Sequence, residues 1–198
     1  VRRTDDQRER QVAERAASPI GTFRKAGVAI LAVSLVAVLA ACSSSDDDES
    51  APTTVGSGDR YAATIRRTTG GVPHITGKTL ADASFGEGWA SGQDRACDLA
   101  DQVIKVRGER ARWLGAGEDD ANVDSDAAWL AIGIHERAVK DWEEVSEELN
   151  EQITAYTAGW NAHLKAVGAK GVKGWCSGAA WLKPLEPVDV YAYARWRF

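Results

Sequence analysis

Few residues in this chain have side chains suited to chemistry, and they lie far apart. Cysteines stand at Cys42, Cys97 and Cys176, and histidines at His74, His135 and His163. No two of these six have the close spacing from which zinc sites are built. If another reaction consumes Cys42, the remaining thiols form an even pair, and a disulfide between Cys97 and Cys176 is expected wherever the compartment is oxidising. Two independently buried thiols are the alternative. His74 follows Pro73 in an apparent strand with no positioned Ser or Cys partner, so it reads as structural rather than as a general base. His135 and His163 read as solvent-facing or helix-end side chains. Gln93-Asp94-Arg95 interrupts an otherwise helical run with three polar groups, which suggests buried hydrogen bonds and an ion pair that fix the core; direct substrate contact is the alternative. The run Asp120-Ala121-Asn122-Val123-Asp124-Ser125-Asp126 alternates carboxyl and amide groups as a calcium loop does. Its sixth position is Ser125 instead of Gly and its twelfth is Ala131 instead of Glu. A polar loop in which Asp124 to Asp126 cap the next helix fits better.

Composition narrows the setting more than the chemistry. The formal net charge of the 198 residues is −5, yet the first 41 carry seven Lys and Arg against four Asp and Glu, so the remainder stands at −8. A surface that acidic is not built for nucleic acid. Methionine is absent and the chain begins at Val1, which reads as a non-AUG start or a sequence lifted from a longer frame.

The elements that would position these residues fall into three stretches: 1–41, 42–60 and 61–198. In the first, Arg24 and Lys25 precede an uncharged run from Ala26 to Ala41. Sixteen helical residues reach only about 24 Å, short of a bilayer's hydrocarbon core, and a basic flank before a short apolar run is the make-up of a signal peptide. The ending Leu39-Ala40-Ala41-Cys42 resembles the bacterial lipobox, in which the cysteine is lipidated. The expected location is therefore the outer face of the cytoplasmic membrane, or secretion. Ser43 to Glu49 and Ala51 to Gly58 read as an acidic, Ser/Gly-rich tether.

Residues 61–198 carry the periodic patterns. Ala63, Ile65 and Arg67 alternate with Thr64, Arg66 and Thr68, Gly70-Gly71 supplies a turn, and Val72-Pro73-His74-Ile75 completes one β-hairpin with Pro73 on an edge. Ala96, Leu99, Ala100, Val103, Val106, Arg110 and Trp113 trace one stripe on a helix expected to end near Gly115. Ser125 or Asp126 is expected to cap a second helix carrying Trp129, Leu130 and Ile132. Leu149, Ile153, Tyr156, Trp160, Leu164 and Val167 mark a third, with Ser146 at its start and Gly168 at its stop. Gly171 to Pro187 reads as a loop with Trp175 and Trp181 as anchors. Pro187 opens a last helix with Asp189 in its first turn, still running at Phe198.

Two of these segments carry a resemblance. Ile65-Arg66-Arg67-Thr68-Thr69-Gly70-Gly71-Val72-Pro73-His74-Ile75 resembles the first hairpin of the penicillin acylase family. About ten residues on, Phe85-Gly86-Glu87-Gly88-Trp89-Ala90-Ser91-Gly92-Gln93-Asp94-Arg95 resembles that family's glycine-aromatic segment. Leu99-Ala100-Asp101-Gln102, Arg107-Gly108-Glu109-Arg110 and Trp181-Leu182-Lys183-Pro184-Leu185 before Asp189-Val190 resemble the branch with aculeacin acylase and the acyl-homoserine-lactone acylases. The resemblance implies an N-terminal-nucleophile hydrolase of linear amides, matured by autoproteolysis, in which a serine's own α-amine acts as base. It implies a four-layer α/β/β/α sandwich, of which these residues would be a mainly α portion with one β-hairpin. In that family the serine begins the downstream β subunit, so no catalytic residue is assigned here and the portion alone is expected to be inactive. The implied partners are that downstream portion, an acyl-amide substrate and the membrane through the lipid anchor. No cofactor is implied; calcium at the subunit junction of a complete enzyme has no ligand placed among these residues. A truncated, non-catalytic envelope lipoprotein or binding module is the alternative. On the acylase reading, Trp129, Trp160, Trp175, Trp181 and Trp196 are expected to stay partly exposed until the β subunit packs on them.

Overall fold

The structure, a computed structural model, describes residues 50–56 and 60–197, the last by its backbone alone. Strands β1 (Thr53–Gly56), β2 (Ala62–Arg67) and β3 (Pro73–Gly77) form an antiparallel sheet in the order β1-β2-β3. Six α-helices follow: α1 (Leu80–Val106), α2 (Arg110–Leu114), α3 (Ala121–Ile132), α4 (Ile134–Asp141), α5 (Glu147–Gly171) and α6 (Pro187–Arg197).

The expected hairpin is β2 and β3, with Ile65 opposite Ile75 and Arg67 opposite Pro73. Pro73 lies on an outer strand, where its missing N–H costs no ladder bond. The sheet has one strand more than the sequence suggested. β1 comes from the stretch read as tether, because β-branched Thr53, Thr54 and Val55 need only a partner to become an edge strand. Val55 pairs with Ala63 and is buried with Tyr61, Ile65 and Phe85.

Helix α1 begins with a capping box: Thr79 Oγ1 accepts from Asp82 N–H at 3.0 Å and Asp82 Oδ2 accepts from Thr79 N–H at 3.1 Å. The other Asp82 oxygen accepts from Ala62 N–H at 2.9 Å, tying the helix start to β2. The backbone bond from Ala62 and the Thr79 hydroxyl, with a lesser share from the Thr79 N–H, hold the Asp82 carboxyl below its ordinary range against the opposing effect of burial.

The glycine-aromatic segment becomes a packing surface. A Cβ on Gly86 would come within 2.6 Å of Ile75 Cγ2, so this residue lets the sheet lie on α1. A Cβ on Gly88 would fall 1.9 Å from the Tyr156 carbonyl oxygen, and one on Gly159 would fall 1.9 Å from that of Phe85. The backbones of α1 and α5 therefore touch, which makes this pair the largest helix contact in the fold. C-terminal to the contact, Leu99, Ala100, Ile104, Trp160 and Leu164 continue the seam as one apolar cluster.

Helix α1 ends earlier than its stripe suggested. It stops at Val106, and Gly108 turns the chain at φ +66°, a conformation only glycine adopts cheaply, before the separate short helix α2 carries Arg110 and Trp113. Arg95 also departs from helical angles, at φ −140°, and kinks α1. Helix α5 follows the spacing read from the sequence: Ser146 accepts from Leu149 N–H, Ile153, Trp160 and Leu164 are buried, and the helical angles fail at Gly168, φ +67°.

Candidate functional site

The break at Gly108 brings the side chain of Arg107, at the end of α1, to the first turn of α6. Arg107 donates from Nε to Asp189 Oδ1 at 2.8 Å and from Nη2 to Oδ2 at 2.7 Å, a bidentate pair. His135 Nε2, from the first turn of α4, lies 3.1 Å from Oδ1, and Glu186 N–H donates to Oδ2 at 2.9 Å. Asp189 is fully buried. Burial works to raise its carboxyl, but the bonds from His135, Glu186 and Arg107 together outweigh it and hold the group below the ordinary carboxylate range. One carboxylate thus fixes α6 to α1 and α4. Further along α6, Arg195 pairs with Asp141 at the end of α4.

A second buried carboxylate performs a different task from the one expected of it. Asp126 lies inside α3, which starts at Ala121, so it neither sits in a loop nor caps its own helix. Its two oxygens accept from Arg110 N–H and Ala111 N–H, each at 2.8 Å, and so satisfy the first turn of α2. The calcium-like alternation is consequently helical from Ala121 onward.

The segment between α5 and α6 is held at both ends. Cys97 on α1 and Cys176 form a disulfide with Cα atoms 5.4 Å apart. They close a loop across a separation of 79 residues, for which the chain-entropy model gives about 4.5 kcal/mol as an upper figure. Asn161 Nδ2 donates to Leu185 O at 2.9 Å while Asn161 Oδ1 accepts from Leu185 N–H at 2.8 Å. Between these ties Trp181 is buried in the core of α1 and α5, and Trp175, just before Cys176, lies against it with the rings tilted and is 61% exposed. Of the five indoles expected to remain open, Trp129, Trp160 and Trp181 are instead buried; Trp175 and Trp196 are exposed. The helices and the disulfide-tied segment are sufficient to cover the first three.

Cys42, with the signal-like run before it, lies outside the described residues. Gln93 and Asp94 make polar ties, but on the surface: Arg67 Nη2 donates to Gln93 Oε1 and Nη1 to Asp94 Oδ2, both at 3.0 Å. Arg95 is exposed at the kink. His74 is exposed on β3 opposite Arg66. His163 departs from expectation: it is buried beneath Gly92 and edge-on to Trp89, with ring centroids 5.4 Å apart, and burial lowers its pKa. The sequence reading did not bring Arg107, His135 and Asp189 together; their only local signal was Asp189 in a first helical turn. Among the described residues His135 has a carboxylate partner, and no Ser, Thr or Cys hydrogen-bonds to a histidine. The cluster, centred on the buried Asp189 carboxylate, orients a helix.

The penicillin amidase family profile matches residues 62–197. Aculeacin-A acylase of Actinoplanes utahensis is 34% identical over 139 residues, which cover 66% of this chain and 18% of that protein. Acyl-homoserine lactone acylase PvdQ of Pseudomonas savastanoi is 33% identical over 137 residues, 67% of this chain and 18% of the relative. Penicillin acylase 2 proenzyme of a Pseudomonas species is 32% identical over 131 residues, 66% and 16% respectively. This chain thus spans less than a fifth of the length of these relatives. A thermostable penicillin G acylase from Alcaligenes faecalis superposes with a TM-score of 0.57 at 21% identity, over 73% of this chain and 71% of that one, and so shares its fold here.

Proposed function

The chain belongs to the penicillin amidase family, and from that premise we propose that it is the N-terminal portion of an exported acylase that hydrolyses the linear amide bond between an acyl group and an amine. The single observation carrying this reading is the family match over residues 62–197, which takes in both the glycine-aromatic seam and the seat of α6. In this reading the nucleophilic serine and the donors for the oxyanion lie in a downstream portion of the same precursor, which cuts itself to free the serine's amine. That portion also supplies the sheet that turns these helices into one outer layer of a four-layer sandwich. Acyl transfer needs nucleophile, base and oxyanion donors within about 3 Å of one another. The 198-residue chain is accordingly inactive alone.

The test is to express this chain and the longer open frame in parallel, and to assay both on an N-acyl homoserine lactone and a phenylacetyl amide. Turnover by the short chain would sink the proposal. Activity of the long frame that vanishes when the first serine of its cleaved β portion is replaced would support it. Export and anchoring rest on the Leu-Ala-Ala-Cys ending. Two or three acyl chains at Cys42 make stable attachment where one would not. Cys42→Ser is expected to release the protein or to block its processing, and unchanged partitioning in detergent phase separation with unchanged processing would count against lipidation there.

A further inference from the structure

Next to the Arg107 cluster a cleft of about 240 Å³ opens between the end of α1, helix α2 and the segment 181–185. One side is apolar: Ala100, Val103, Ile104 and Leu185, with the indoles of Trp113 and Trp181. The charges on its rim do not cancel. Arg107 is matched by Asp189, and Arg112 lies 3.4 Å from Glu109. Glu109 is doubly engaged, since its other oxygen accepts from Trp113 Nε1 at 3.3 Å. Lys183 has no carboxylate partner among the described residues; its Nζ lies 5.1 Å from the Trp113 ring centroid, on the same indole that Arg112 approaches at 4.9 Å.

A surplus ammonium held over an indole at the mouth of a cleft with one apolar wall is the complement of an amphiphilic anion. The geometry points to this cleft as a binding site for a small alkyl or aryl carboxylate, its body against Trp113, Trp181 and Leu185 and its charge met by Lys183. The cleft is smaller than sites for drug-sized ligands, which limits the occupant to about ten heavy atoms. This inference does not rest on the acylase reading, because every residue it uses lies in the described chain.

The test titrates the full 198-residue chain with benzoate and hexanoate by saturation-transfer NMR. Benzamide and hexanamide serve as uncharged isosteres, and acetate as a headgroup without a body. Both acids are expected to saturate with dissociation constants on the order of millimolar, given so few contacting atoms. The amides and acetate are expected to bind about tenfold more weakly, Lys183→Ala to weaken the acids by a similar factor, and Lys183→Arg to retain them. Lys183 is exposed, so its substitution leaves the fold intact, which circular dichroism verifies. Equal binding of acid and amide, unaltered affinity in Lys183→Ala, or no saturation by about 20 mM, well above the expected range, would overturn the proposal.

Discussion

Helices α5 and α6 both pack on α1, and they are held by opposite means. At the crossing of α1 and α5 there is no room for a side chain: Gly88 and Gly159 bring backbone onto backbone, and apolar groups extend the contact. Helix α6 is seated through a buried carboxylate that receives donors from Arg107, His135 and Glu186. The first joint is intolerant of volume. The second is also packed, with Ala192 fully buried in a cluster with Val106, Trp129, Ile134 and Ala138, and depends in addition on a buried ionised group. A single small domain thus contains a joint specified by shape and a joint specified by charge.

The sharpest way to break this contrast is Gly159→Val. Its Cβ would lie 1.9 Å from Phe85 O, a backbone atom that no rotamer change can move, so α1 and α5 must separate. We expect a loss of more than about 4 kcal/mol, visible as failure to accumulate folded protein. A stable Gly159→Val variant would show that the seam is not set by close approach.

Asp189→Ala is expected to cost less, about 2–3 kcal/mol, because the stranded Arg107 is one-third exposed and water screens part of the loss. Here pH matters. The folded carboxyl lies below its unfolded value of 3.8, so its contribution is complete above that value and is lost as the pH falls through the lower folded value. Thermal unfolding of the wild-type chain should therefore lose stability below about pH 4 with a component that Asp189→Ala lacks. Identical pH profiles for the two proteins would remove Asp189 as the seat of α6. The smallest expected effect is that of His135→Ala, about 1 kcal/mol, since Arg107 and Glu186 still satisfy the carboxylate. A loss as large as that of Asp189→Ala would make the imidazole, and not the guanidinium, the principal partner.

The same division explains what could be read in advance. Ser146, the 3- and 4-residue spacing from Leu149 to Val167 and the stop at Gly168 are local features, and helix α5 follows them. The β2–β3 hairpin and its edge proline were legible for the same reason. The glycine-aromatic run was recognisable as a motif, but its purpose required the partner helix about 70 positions on. Arg107 and Asp189 are 82 residues apart and His135 and Asp189 are 54 apart, so no window of periodicity joins them. Asp126 was read as a cap for its own helix because capping rules are local; the structure uses it 15 and 16 residues upstream. The indoles of Trp129, Trp160 and Trp181 illustrate the same limit, since hydrophobicity marks a residue for burial without naming what will cover it.

The Cys97–Cys176 bond closes everything from the second half of α1 to the end of α5 into one covalent ring. Helices α2, α3 and α4 lie on that ring, and α6 lies just outside it. A protease that cuts once between the two cysteines opens the ring without dividing the molecule. The nicked protein should migrate as one species on a non-reducing gel and as two after reduction. A cut outside the ring would release a fragment under both conditions, so limited digestion reads directly which loops are accessible and which segment the bond secures.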